Sequence, residues 1–362
     1  MIREKTNDRR LVVFYMKVAI YGCFIGLLLS ADTLGNESEA VTDRYIAMAI
    51  RGDLQQAGDL LRSEESGGWP GSPDLADRFR QRFVDRTEPL SPDTGVALLD
   101  EAIAAYRSYW ARSLLAESPQ AENDRMLHHA LGRLPGIENA TEDPWNAPVA
   151  LNEAIGGLGY GVLAIPAPPL QDLFVWRSRQ DREFTVELSD QTRVVHVAFL
   201  SDFVSRGWKD YATLGLAMTT GWVEDGVLYC VERAYAPHSE RFEVSYLKHE
   251  SRHLADLERF PDLRSADLEY RAKLTELAFA SQTLQDLLAD FTAKSAPNPQ
   301  SPHAVANHRV IHDLHLELFG RPLPTDRYPW RSVTAGPVNS AARRLLSRNT
   351  EALEALRESA LP

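Results

Sequence analysis

Apolar positions along the chain fall into three textures. From Val41 to about Leu134 they recur every three to four residues, over Ile50 through Leu61, Leu75 through Val84, Gly95 through Leu115 and Ala121 through Leu134. That spacing predicts amphipathic helices, punctuated by Gly67-Gly68-Trp69-Pro70-Gly71 and Ser91-Pro92. Near Pro144 the texture turns to β-branched and aromatic runs, with strands expected at Phe184 to Leu188 and Val194 to Leu200. Met218 to Val223 and Val227 to Val231 flank Glu224-Asp225-Gly226, a hairpin turn. From Glu243 the helical period returns. One helix is expected over about Phe242 to Glu258, with a break at Phe260-Pro261. A second runs over about Ala266 to Phe291, capped by Ser265, and a third over about Ala304 to Leu318, stopping at Gly320. The whole predicts an α+β fold: a helical N-terminal region, a small mostly antiparallel sheet and a helical C-terminal part.

The expected organisation is a leader over residues 1–31, a helical region over 32–140 and a second region over 141–362. The last divides into a sheet at 150–240, helices at 242–291 and helices at 303–362. In the leader, Arg3, Lys5, Arg9 and Arg10 precede an apolar stretch from Leu11 to Ala31 that only Lys17 interrupts. Val18 to Ala31 has the length of a signal-peptide core and ends in small residues. The rival reading is a retained N-terminal anchor, since the stretch is just long enough to span a bilayer. Either way the protein is expected to be exported, to a periplasmic or secreted location. Residues 32 to 41 are polar and read as a linker.

Composition changes the picture in two ways. A net charge of -12 over 362 residues argues against a partner held by its phosphate backbone, so no nucleic-acid partner is expected. Of the two cysteines, Cys23 lies in the leader, leaving Cys230 alone. With no disulfide and no cysteine-based zinc knuckle to build, a bound metal must rest on histidines and carboxylates. Gly156-Gly157-Leu158-Gly159-Tyr160-Gly161 lacks a surrounding βαβ unit and a P-loop lysine, and reads as a flexible turn rather than a phosphate cradle.

The chemistry is expected at His249-Glu250-Ser251-Arg252-His253. Histidines four residues apart project from one helix face, one turn apart, where a single Zn²⁺ can take both nitrogens. Glu250, beside the first, can take a proton from a water that the metal acidifies. On a helical wheel Val244, Leu247, Leu254 and Ala255 form a core-facing stripe, while Lys248, Arg252 and Asp256 fall on a solvent-facing sector and the ligand face stays open. A hydrolytic zinc site needs a third protein ligand. Glu269, on the next helix, is the first candidate and Glu276, two turns on, the substitute. Asp256 suits a role orienting an imidazole.

Tyr246-Leu247-Lys248-His249-Glu250-Ser251-Arg252-His253, with Glu269 in Leu268-Glu269-Tyr270-Arg271-Ala272-Lys273-Leu274, resembles the zincin metallopeptidases of the glutamate-ligand type, the gluzincins. The resemblance covers about residues 215 to 290. It implies zinc held by His249, His253 and Glu269, with Glu250 as general base and a peptide or protein as substrate. It also implies an edge strand ahead of the motif helix to which an extended peptide adds, and Val227 to Ala236 is placed for that. In some gluzincins a downstream histidine donates to the oxyanion; His308 or His312, on a helix that also carries His303 and His315, would serve. Tyr246 and Tyr270 are the other donors in reach. The alternative from another class is a noncatalytic envelope protein that keeps zinc for structure, or holds none, and binds a partner through its helices.

Overall fold

The computed structural model describes residues 25–27, 36–66, 73–137, 146–167, 169–297, 301–324 and 329–359. Short strand β1 (Ile25–Leu27) pairs antiparallel with β5 (Ala217–Thr219). The rest of the expected leader lies outside the described residues. Helix α1 (Asn36–Ala49) occupies much of the expected linker, because Val41, Tyr45, Ile46 and Ala49 make a buried stripe that the polar residues ahead of them obscure. A turn through Gly52, φ 84°, separates it from α2 (Leu54–Ser66). The Asp53 side chain accepts from Gln56 N at 3.1 Å and fixes the start of α2 four residues later than the period suggested. There follow α3 (Pro73–Phe79) with a π-helical turn at Arg80–Val84, α4 (Ala97–Leu114) and α5 (Gln120–Leu131).

A strand texture was expected from Pro144, but α6 (Asn146–Gly156) comes first. Ala147, Leu151 and Ile155 are buried at four-residue spacing, a stripe short enough to be lost beside the glycines that follow. Those glycines form a turn, with Gly159 at φ 85°, and lead into β2 (Gly161–Ala167). Strands β3 (Leu170–Glu187) and β4 (Thr192–Arg206) are much longer than the runs that announced them. Helix α7 (Gly207–Ala212) leads through β5 to β6 (Gly221–Glu224) and β7 (Val227–Val231). The last two strands form the expected hairpin, with Glu224 opposite Val227 and both turn residues, Asp225 and Gly226, at positive φ. Strand order is β2-β3-β4-β7-β6. β7 is therefore flanked on both sides and β6 is the edge, which corrects the expectation of an edge at Val227 to Ala236. Beyond β7 the chain leaves the sheet in a 3₁₀ turn at Glu232–Ala234.

The chain packs into two compact units. One holds the described residues up to Gln180 together with Phe199–Thr220, the other Asp181–Ala198 and the described residues from Gly221 on. In the first, α1 to α7 gather around Tyr45, Leu99, Ile103, Trp110, Leu151 and Trp208. Trp110 Nε1 donates to Gln171 O at 2.8 Å and Tyr45 Oη to Ala212 O at 2.7 Å, so these buried aromatics are also polar ties.

The second unit places the motif. After the hairpin come a π-helical stretch, Arg241–Lys248, continuing into α8 (His249–Arg259), then α9 (Ser265–Phe279), α10 (Leu284–Ala293), α11 (Pro302–Phe319) and α12 (Ala335–Ser359). Its core includes Leu274, Leu277, Leu288, Val310, Trp330 and Val338. The expected single helix over Ala266 to Phe291 is two helices, interrupted at Ala280–Thr283. Helix α9 is enclosed on every side from Leu268 to Ala278, charged residues included. The Ser301 side chain caps α11, and Gly320, φ 64°, ends it as its sequence suggested. Among the described residues no helix is long and apolar enough to cross a membrane.

Candidate metal centre

Glycine 221 sets how closely the motif helix approaches the sheet. A Cβ there would lie 2.5 Å from the Tyr246 ring and 2.7 Å from the Tyr229 carbonyl oxygen, so only glycine lets the π-helical stretch pack this close to β6. Tyr246 stacks on Phe242 and tilts against Tyr235, at centroid distances of 5.8 and 5.2 Å. This aromatic layer fixes the helix just ahead of His249. A π-helical turn carries more residues than the 3.6 of an α-helix, so a wheel drawn at one constant angle through both halves misplaces the faces.

Helix α8 presents His249 and His253 to one point, and α9 returns alongside it. His249 Nε2 lies 3.0 Å from His253 Nε2 and 3.6 Å from Glu269 Oε2, while His253 Nε2 lies 3.4 Å from Glu269 Oε1. The two rings are nearly perpendicular, at 82°. Two ligand atoms bound at 2.0–2.1 Å to one tetrahedral zinc are about 3.3–3.4 Å apart. The separations, two of them to different oxygens of Glu269, lie near that value, and two imidazoles with a carboxylate are a donor set that zinc takes. Among the described residues, no other group of three or more His, Cys, Asp or Glu draws its ligand atoms as close together. The three residues could hold a metal ion.

Around that triangle the roles differ from expectation in part. Glu276, the substitute ligand, sits behind His249, with Oε1 2.8 Å from Nδ1. A metal on Nε2 requires the proton on Nδ1, which then donates to Glu276. Glu276 thus takes the orienting role expected of Asp256. Glu250 points into the same buried region with Oε1 lacking a hydrogen bond, which leaves a carboxyl oxygen free to take a proton. His253 Nδ1 is likewise without a hydrogen-bond partner.

Titration follows from enclosure. Burial pushes the Glu250 and Glu276 carboxyls up to about 8. Burial, with the neighbouring His253, holds His249 well below the usual imidazole range. Burial works against charge on Glu269 and His253 as well. Even so, His303 and His253 hold the Glu269 carboxyl well below its ordinary value, and Glu269 raises His253. Glu269 thus favours its charged form and His249 its neutral one, the forms in which each can bind a cation.

The ligand face is not open, and the solvent-facing sector does not face solvent. His249, Glu250, His253, Glu269 and Glu276 are all 0–4% exposed, and Arg252 and Asp256 only 1%. Arg252 pairs with Asp190 and Asp256, and Asp256 grips Arg271 at 2.8 and 2.9 Å. Arg271 reaches on to Asn349 and Thr350 in α12. Charge at these positions reported partners elsewhere in the chain, not water.

The histidine-rich helix is read differently too. His308 lies 3.3 Å from Ser295 Oγ and packs its ring on His312 at 4.2 Å; His315 Nδ1 lies 2.9 Å from Arg321 O. Among the described residues no hydrogen bond or ion pair joins His308 or His312 to the triangle. Tyr270 also turns away, donating to Asp313 at 2.7 Å. The histidine that reaches the site is His303, with Nδ1 3.0 Å from Glu269 Oε2. Its place in the first turn of α11, next to the Ser301 cap, was the available signal; the i, i+4 spacing of His308 and His312 drew attention away from it. Comparison with family models, curated proteins and solved structures finds no match to this chain.

Proposed function

We propose that this chain is a zinc-dependent hydrolase of the zincin type, cleaving peptide bonds in an exported location. The observation that carries the reading is the convergence of His249, His253 and Glu269, one ligand atom of each lying within 4.8 Å of the others and the two Nε2 atoms 3.0 Å apart. Zinc bound there would supply Lewis acidity, acidifying a water and polarising a carbonyl. The chain's own part is then assigned. Glu276 fixes the His249 tautomer, and Glu250, with an oxygen free of hydrogen bonds, takes the proton of the attacking water and passes it to the leaving amine.

One observation favours a second reading. Every residue of the triangle is buried, and enclosure is characteristic of structural zinc sites, whereas hydrolytic ones keep an open position. In that reading the protein is a noncatalytic envelope component whose zinc holds α8 to α9. The test is zinc content of the purified full chain together with turnover of a mixed peptide pool, for the native protein and Glu250→Gln. A hydrolase retains about one zinc per chain in both and loses roughly 10²–10⁴-fold in turnover in the variant. Stoichiometric zinc with no turnover in the native protein selects the structural reading, and absence of zinc overturns both.

A further inference from the structure

Helix α11 carries four histidines, and three of them are engaged elsewhere. The fourth, His303, forms an ion pair with Glu269, its Nδ1 lying 3.0 Å from Oε2. It also differs from the rest of the cluster in exposure: its side chain is 37% exposed, against 5% or less for Glu269, His249 and His253. His303 is held in place by its helix. Ser301 caps α11 one residue ahead of Pro302, and Arg309 and Asp313, further along, anchor α11 to Asp267 and Tyr270 of α9.

Resting on the zinc reading above, we propose that His303 is the positioning residue for the third ligand. A carboxylate ligand that binds through one oxygen needs a partner for the other, or it swings between orientations. Here Glu269 Oε1 faces His253 at 3.4 Å, while Oε2 faces His303 at 3.0 Å and His249 at 3.6 Å. Paired with Oε2, His303 holds the carboxylate in the rotamer that completes the cluster, from the more exposed side of the pair. His303 is not itself a ligand, because its nitrogen falls outside the cluster whose ligand atoms all lie within 4.8 Å of one another. The loss of its grip therefore loosens the metal without removing a donor.

The experiment measures zinc affinity of the full chain by competition with a chromophoric chelator, and the visible absorption of the Co²⁺-substituted protein. The variants are His303→Ala, His303→Phe and His303→Asn; asparagine keeps a donor near the position of Nδ1, and phenylalanine keeps the bulk without it. The expected result is a 10–100-fold weaker zinc affinity for His303→Ala and His303→Phe, with changed Co²⁺ bands. His303→Asn should recover affinity to within about threefold of the native protein. Native-like affinity and Co²⁺ bands in both His303→Ala and His303→Phe overturn the assignment while leaving the zinc site standing. An asparagine variant as weak as alanine overturns it too, since the donor then plays no part. If the native chain binds neither ion, the zinc reading has failed and this inference with it.

Discussion

Asp256 sits buried between two arginines. Its Oδ1 and Oδ2 accept from Arg271 at 2.9 and 2.8 Å, and Arg252 Nη1 approaches Oδ1 at 3.4 Å. All three side chains are essentially unexposed. Removing one partner of a buried pair strands the other charge, so Asp256→Asn should destabilise the protein by about 3–5 kcal/mol, seen as an earlier midpoint in chemical denaturation. A loss below about 1 kcal/mol would mean that water reaches the arginines. At the candidate metal site, Glu276→Gln keeps a hydrogen-bonding group behind His249 but removes the ionisable carboxyl. We expect zinc affinity to drop 10–100-fold by chelator competition while the fold, followed by circular dichroism, is unchanged. The convergence of His249 and His253 was legible in the sequence because helix spacing fixes which side chains share a face, and Glu269 was a candidate as a carboxylate on the next helix. The surroundings were not. A wheel treats charge as a mark of solvent, and nothing near Arg252 or Asp256 in the chain announces Asp190, 62 residues before Arg252, or Arg271, 15 residues after Asp256.

Between helices the informative group is Glu240, which stands just before the π-helical stretch and caps α10. Its carboxylate accepts from Ser281 N, Gln282 N and Thr283 N at 2.8–3.0 Å, and from Thr283 Oγ1 at 2.7 Å. That cap explains why the helical period over Ala266 to Phe291 breaks without a glycine or proline: the stop signal lies 41 residues upstream. Burial acts to raise the Glu240 carboxyl, but these hydrogen bonds hold it below the ordinary 4.5. A depressed folded-state value contributes stability that is present in full above pH 4.5 and is lost as pH falls through the folded value. Glu240→Gln should therefore cost about 1 kcal/mol near neutral pH. Its melting temperature should converge on that of the native protein as the pH drops below 4.5. A gap that stays constant down to pH 3 would count against this account of the cap. Gly221→Ala tests the other junction. The new methyl would press on the Tyr246 ring and the Tyr229 carbonyl, and overpacking of this kind costs about 1–3 kcal/mol.

At the scale of the whole chain, a mixed helical and sheet composition was readable from period alone, yet the division into two units was not. Strands β3 and β4 each contribute to both, and local spacing cannot say which neighbours a long strand will take. The same division makes a prediction about metal. The candidate ligands His249, His253 and Glu269 all belong to the unit that contains α8 to α12. A ligand that binds only the folded state stabilises it by mass action, and most directly where its contacts suppress local opening. Helices α8 and α9 enclose a cluster with buried polar atoms lacking hydrogen bonds, among them Glu250 Oε1 and His253 Nδ1. Such groups favour transient opening, because water satisfies them when the helices part. Adding zinc to chelator-treated protein should slow amide hydrogen exchange most strongly across α8, α9 and the first turn of α11. Exchange in α4 and α5, whose core around Leu99, Ile103 and Trp110 shares no residue with the site, should be unchanged. Equal protection in both sets of helices would show that zinc reports on global stability instead. No protection in α8 and α9 would show that these histidines and this glutamate do not converge on a bound ion in solution.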